Sequence, residues 1–413
     1  MDRLPDDALL EVLLWLPPED LLACRLVCKR LGTLAMHPHV WRRKCCSVSA
    51  ASCACPVLRL APCLGLLQVT LPLKNCLHLY TTRCAVSRLD LLVDKYMKDA
   101  ALIIHRQSFL LRLKSVTVTL GQYRVGQYLT FDAGVAILFT TLASTCGLTY
   151  LKVRAEFGSG LSFDMTQSLQ SIAVPSSIKT FIFEGIVQRE ATHFCSFVLA
   201  RHAATLETLR ILCFLSASTT SLLSDLPNLR RLTYAINPGQ EAVTSCKLLR
   251  ILTLSFCSDD RSVKELFCKA EQLRKVILIC HFRPTTVDDV LPETILALSS
   301  TRVEKLCIYM SVAVGHALSQ TYIVRRAALW ALALLSVLPR LPALQELSLD
   351  WHTDELLRGI NPTTAPALRI LSLHCGAVRP CTPGPAHRDA FKSLFSANPS
   401  VKVKVTRSCT RCL

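Results

Sequence analysis

The chain has 413 residues, of which 51% are apolar and 19% charged. That balance excludes a mainly disordered polypeptide, which would be poorer in apolar residues and richer in charge. Of the formal charge of +17, little lies at the start: residues 1–46 hold seven Lys/Arg against six Asp/Glu, leaving 40 against 24 for the remainder. An acidic partner is therefore expected to meet the long C-terminal part.

Residues 1–16 contain an apolar run, but Asp2, Asp6, Asp7 and Glu11 stand where a secretory signal needs basic residues. The longest charge-free helical stretch, residues 327–338, has 12 residues, and a bilayer span needs roughly 20. It reads as a buried helix, with no membrane engagement and a cytoplasmic or nuclear location. The 21 cysteines are then expected to be reduced thiols acting mostly as small core hydrophobes. Cys213, Cys257, Cys268 and Cys307 lie within or beside apolar patterns.

In chain order, residues 6–16 predict a first helix, with Asp6 or Asp7 suited to its positive end. Between Leu9 and Leu16 only Glu11 is polar, so this helix must be covered on more than one side. Pro17-Pro18 stops it and opens a second helix, to which Glu19 and Asp20 suit the N-terminus. Residues 28–36 continue as a third helix, His37-Pro38 ends it, and Trp41 follows as an apolar anchor. Three short helices over about 40 residues cannot usually bury enough surface to stand alone.

Leu4-Pro5-Asp6, Leu9-Leu10, Val12-Leu13, Leu16-Pro17, Asp20-Leu21-Leu22, Leu26 through Leu31, His37-Pro38 and Val40-Trp41-Arg42 run in order without gaps. From end to end this segment resembles the F-box. The resemblance implies docking onto a Skp adaptor, and through it onto a cullin scaffold with a RING-type subunit. Carried over by match, the adaptor-binding residues would be Leu4, Pro5, Leu9, Leu13, Leu16, Pro17, Leu21, Leu22, Leu26, Val27 and Trp41. The competing reading makes them the core of an ordinary helical cap.

Residues 47–85 show little pattern and read as a linker with a poorly defined first repeat; Pro56, Pro62 and Pro72 oppose one long helix there. Over residues 86–405 the pattern apolar-x-x-apolar-x-apolar recurs, with first positions at Leu113, Leu148, Ile178, Leu206, Leu229, Leu249, Leu273, Val303, Leu344 and Leu368, and a weaker instance at Val86. Several intervals fall in the leucine-rich-repeat range of roughly 20–29 residues. Pro227, Pro342 and Pro366 each stand two residues before a first position, and helix-like stretches at 191–202, 261–272, 325–338 and 387–395 precede strands. The segment resembles the leucine-rich repeats that often follow an F-box. The fold class is thus α/β: a short all-α F-box, then an irregular leucine-rich-repeat solenoid with a concave parallel sheet and helices outside. The array closes on the strand at residues 401–405, and residues 406–413 form a tail. Among the ten units the Asn or Cys that normally follows the strand appears only as Asn237 and Cys257.

Directly after the first apolar position stand Lys114, Lys179, Arg230, Arg250, Arg274 and Arg369, and Lys152, Arg210, Arg231, Lys275 and Lys305 lie nearby. A basic stripe is expected, densest between Arg210 and Lys305. Arg210, Arg230, Arg231, Arg250, Arg274, Lys275 and Lys305 are the candidate binding residues for an acidic or phosphorylated protein substrate. The competing reading is a solvated face. Nucleic acid is the rival partner, but no nucleic-acid motif is present and aromatics are 7%, with no repeated stacking platform.

No metal or cofactor is expected. Cys409-x-x-Cys412 is a lone pair, and Cys45, Cys46, Cys53, Cys55 and Cys63 lack the paired spacing of a four-ligand zinc site. Thr410 occupies the place where a prenylation box needs cysteine. No GxSxG, P-loop, HExxH or glycine-rich dinucleotide turn occurs, and His105, His202, His281, His352 and His374 are scattered. With no RING-type spacing either, the chain reads as a non-catalytic substrate adaptor of a ubiquitin ligase, feeding proteasomal degradation. The alternative is a non-ligase leucine-rich-repeat scaffold for an acidic protein or nucleic acid.

Overall fold

A computed structural model describes residues 4–52, 54–73, 76–121, 133–155, 169, 171–185, 189–213, 215–235, 240–256, 262–282, 290–312, 320–374 and 385–405. Cys53, Asn237, Cys257 and the tail 406–413 with Cys409 and Cys412 lie outside the described residues. The chain divides into two compact units, Met1–Leu206 and Glu207–Leu413.

The first unit opens with four short helices, α1 (Asp6–Leu13), α2 (Pro18–Cys24), α3 (Lys29–Ala35) and α4 (Pro38–Trp41). Leu9, Leu13, Leu21, Leu34, Ala35, Val40 and Trp41 form their interior. No side chain caps α1; Asp6 instead accepts from Arg30 Nη2 at 2.7 Å and Nε at 2.9 Å, so it ties α1 to α3. Cys28 caps α3, its Sγ accepting from Leu31 N at 3.4 Å.

Six parallel strands follow in chain order: β1 (Cys45–Val48), β2 (Cys63–Thr70), β3 (Ala85–Val93), β4 (Ser115–Leu120), β5 (Tyr150–Ala155) and β6 (Thr180–Glu184). Between them run α5 (Cys55–Leu60), α6 (His78–Thr81), α7 (Met97–Phe109) and α8 (Ala133–Ser144), with α9 (Arg189–Arg201) after β6. Strand alternation decides which face is covered. In β4, Val116, Val118 and Leu120 are buried while Ser115, Thr117 and Thr119 are half-exposed. Under β6, Phe181 and Phe183 meet Phe139 and Phe194, the last two stacked with centroids 4.6 Å apart.

Residues 47–85, read from sequence as a linker with a poorly defined first repeat, carry regular elements. β1 starts at Cys45, and β1, α5, β2 and α6 already form repeat structure. The sequence hides it because Leu66 adds an apolar side chain to the half-covered face and β1 offers only Cys, Ser and Val. The junction with the helical cap is tight. A Cβ on Gly65 would lie 2.5 Å from Arg42 O, so only glycine lets β2 approach the end of α4 this closely.

The second unit holds eight parallel strands in chain order: β7 (Thr208–Ile211), β8 (Arg231–Ala235), β9 (Ile251–Phe256), β10 (Lys275–Phe282), β11 (Lys305–Val312), β12 (Glu346–Leu349), β13 (Ile370–Leu373) and β14 (Lys402–Val405). Single 3-10 turns serve as connections at Leu222–Asp225 and Gln240–Ser245, whereas α11 (Ser262–Lys269), α12 (Val290–Ala297), α13 (Gln320–Val337), α14 (Asp354–Gly359) and α15 (Pro385–Ala397) are fuller helices; α10 (Ala217–Ser221) is one short turn. Cys213 and Cys307 are buried as expected of core thiols, but Cys268 is exposed on α11.

Buried polar side chains satisfy turn backbones where an asparagine ladder would otherwise do so. Gln107 accepts from Val86 N at 3.0 Å and donates to Cys84 O at 3.2 Å. Asn398 donates to Ile360 O at 2.8 Å. His202 Nδ1 accepts from Ser177 N at 3.1 Å, and burial lowers its pKa to about 4, so the ring is neutral at pH 7.

Candidate protein-interaction surfaces

The helical cap turns part of its apolar content outward. Leu4, Val12, Trp15, Leu26 and Val27 are all exposed, Trp15 at 87% and Leu26 at 83%. Leu9 and Leu13 form the inward stripe of α1; at 100° per residue Val12 falls outside it, and Trp15 lies in the turn just past the helix end. Each exposed side chain forgoes roughly 1.5–3 kcal/mol of transfer free energy that burial would recover.

The eleven residues matched to the adaptor-binding motif therefore separate. Leu4, Pro5, Pro17, Leu26 and Val27 are exposed, and Leu16 and Leu22 are half-buried. Leu9, Leu13, Leu21 and Trp41 are internal, and Trp41 Nε1 donates to Ala35 O at 2.7 Å. These four form the core of the cap in this conformation, and the other seven lie at its surface or half-buried. Val12, though part of the matched motif, and Trp15 are not among the residues carried over as adaptor-binding, and their exposure marks them as further candidates.

Lys44 was also missed. Its ammonium donates to Leu14 O at 2.6 Å and to Leu16 O, closing the chain reversal after α1. Burial holds its pKa below the usual lysine value. The two carbonyls satisfy it in place of a carboxylate.

The second candidate surface is the open face of the second unit's sheet. The basic residues do not form one stripe. Backbone hydrogen bonds link Glu207, Arg230, Arg250, Arg274, Glu304, Gln345 and Arg369 in one row just before the strands. Strand register places Thr208, Arg231, Ile251, Lys275, Lys305, Glu346, Ile370 and Lys402 in the next. Arg210 lies two positions further along, level with Thr233 and Thr253.

Acidic residues enter both rows and take up part of the charge. Arg274 Nε lies 3.4 Å from Glu304, and Lys305 pairs with Glu346, a hydrogen bond that raises the lysine pKa. Arg250 donates to Gln272 O at 3.0 Å. Among the described residues Arg230, Arg231 and Lys275 make no ion pair, and both arginines are exposed. Half-buried Ile251, Ile277 and Ile279 lie among them on the same face. In the first unit Lys152 is engaged by Glu184 at 3.3 Å.

No cluster of three or more His, Cys, Asp or Glu suited to a metal ion occurs among the described residues. No helix of the described residues is long and apolar enough to cross a membrane.

Comparison with known proteins agrees with the local reading. The F-box-like family model matches residues 1–47. No curated protein matches the chain. Among solved structures, a leucine-rich-repeat protein of Leptospira interrogans is similar at 12% identity, over 81% of this chain and 92% of that one, with a TM-score of 0.24. The strand-by-strand register is the firmer guide to the repeats. Residues 1–47 thus match an F-box-like domain, and parallel strand-and-helix repeats follow it.

Proposed function

We propose that the chain is the substrate-recognition subunit of a Skp–cullin–F-box ubiquitin ligase. The observation that carries this reading is the set of large apolar side chains left outside the cap, Trp15, Leu26 and Val27 above all. Such a surface on a short helical cap is what a protein partner would cover. F-box domains generally bind Skp adaptors, and this face offers the aromatic and aliphatic anchors such docking needs. The chain then contributes no catalytic group; holding a substrate near the charged E2 accelerates transfer by proximity.

For the substrate, the open face around Arg230, Arg231 and Lys275 suits an acidic or phosphorylated segment. The isoleucines between them suit one that also carries apolar side chains. Arginine forks bind carboxylate and phosphate in bidentate geometry.

Co-expression with a Skp adaptor tests the first part. A stoichiometric complex is expected, with cullin recovered alongside, and the paired change Trp15→Asp with Leu26→Asp should abolish it while the chain stays folded. A wild-type chain that purifies without the adaptor, and whose removal from cells causes no protein to accumulate, would point to a non-ligase scaffold.

A further inference from the structure

The first repeat contains two thiols in contact. Cys55 Sγ and Cys76 Sγ are 3.4 Å apart. Cys55 begins α5 and is half-buried, whereas Cys76, just before α6, is 6% exposed. A disulfide needs sulfurs about 2.05 Å apart, so a shift of little more than an ångström separates this pair from a bond. Two other described thiols of this unit are placed differently: Cys63 donates to Pro38 O at 3.6 Å, and burial pushes Cys46 up to about 11, which keeps it protonated.

We propose that Cys55 and Cys76 form a peroxide-oxidisable dithiol that closes a disulfide across the first repeat. The more accessible Cys55 reacts first. Its thiolate attacks one peroxide oxygen, the O–O bond breaks, and Cys55 becomes a sulfenic acid as the other oxygen leaves as water or alcohol. Cys76 then attacks Cys55 Sγ; the S–S bond forms, the S–O bond breaks, and the hydroxyl leaves as water with the Cys76 proton. Two thiols and one peroxide become one disulfide and two molecules of water, or one water and one alcohol. The bond would join α5 to the segment leading into α6. Because α5 also packs against α2 of the cap, oxidation would brace the repeat on which the cap rests.

The test uses the full chain, reduced and then exposed to hydrogen peroxide, with thiols alkylated before and after. The expected result is joint loss of alkylation at Cys55 and Cys76, and a tryptic cross-link between residues 45–59 and 75–83. Dithiothreitol should restore both thiols, and exposed Cys146 and Cys268 serve as reference thiols in the same chain. Cys55→Ser and Cys76→Ser should each remove the cross-link, and the wild type alone should gain thermal stability on oxidation. The proposal falls if the exposed thiols oxidise while this cross-link does not form, or if the cross-link survives Cys76→Ser. It also falls if the purified chain carries zinc that Cys55→Ser releases, because the pair would then be metal ligands.

Discussion

The helical cap and the sheet strands draw on the same side-chain types, but the strands enclose their inward row completely while the cap leaves part of its apolar content outside. In the repeats Leu209, Leu232, Leu252, Val276, Leu306, Leu347 and Leu371 all lie beneath the sheet, none more than 1% exposed. In the cap, Trp15, Leu26 and Val27 lie outside at 69% or more. A repeat has a neighbour on each side to cover its apolar face, whereas a few short helices enclose only a thin core. The cap is thus one region whose free energy a partner can still lower, although Leu77 and Leu111 among the first unit's repeats are exposed as well.

The largest effect should come from truncating a repeat core residue. Leu252→Ala should lower unfolding free energy by about 2–5 kcal/mol, read by chemical denaturation, with no change in adaptor affinity among molecules that remain folded. Trp15→Ala should do the reverse. A loss of about 2 kcal/mol or more in adaptor binding is expected, with stability within roughly 0.5 kcal/mol of wild type; equal losses in both would erase the distinction between the regions.

Lys44→Met lies between these cases, because it strips the partner from Leu14 O and Leu16 O. Leaving buried polar groups unpaired costs about 1–3 kcal/mol, and thermal melting should show it. On the open sheet face, Arg230→Glu with Arg231→Glu should weaken capture of an acidic substrate and leave the adaptor complex intact, as read by quantitative affinity purification.

A smaller effect concerns pH. The folded pKa of His202 is about 4 against an ordinary 6.5, so between these values the unfolded chain binds more protons than the folded one. Its contribution to stability is therefore complete above about pH 6.5 and is lost as pH falls towards 4. Asp350 works in the opposite sense: burial raises it to about 7 from 3.8, so its contribution is complete below about pH 3.8 and declines as pH rises to 7. His202→Asn should flatten the acid limb of the first unit's unfolding, measured by hydrogen exchange from pH 4 to 7. An unchanged acid limb would count against a buried, neutral ring.

The strands were legible because their signal is local. All ten strong first positions stand two residues before a strand start, from Leu113 before β4 to Leu368 before β13. Leu64-x-x-Leu67-x-Val69 holds the equivalent register, Leu66 being level with Arg88 and Ser115. It departs from the rule because β2 already starts at Cys63, and Leu66 and the surrounding prolines obscured it. The cap's motif was legible too, but a motif gives residue types and not facing, and only the structure shows that Leu9, Leu13, Leu21 and Trp41 are turned inward. The basic stripe failed in part because sequence phase cannot show where Glu304 and Glu346 fall relative to the lysines and arginines. That information lies in inter-strand register.

On the function we propose, the cap's outward apolar side chains are the docking face for a Skp adaptor. Of the four tryptophans, Trp15 is exposed while Trp41, Trp330 and Trp351 are buried, so acrylamide quenching reports on that face almost alone. Titrating the purified chain with Skp adaptor should remove the quenchable emission at one-to-one stoichiometry, and Trp15→Phe should remove it without adaptor. Undiminished quenching of Trp15 at saturating adaptor would contradict the account.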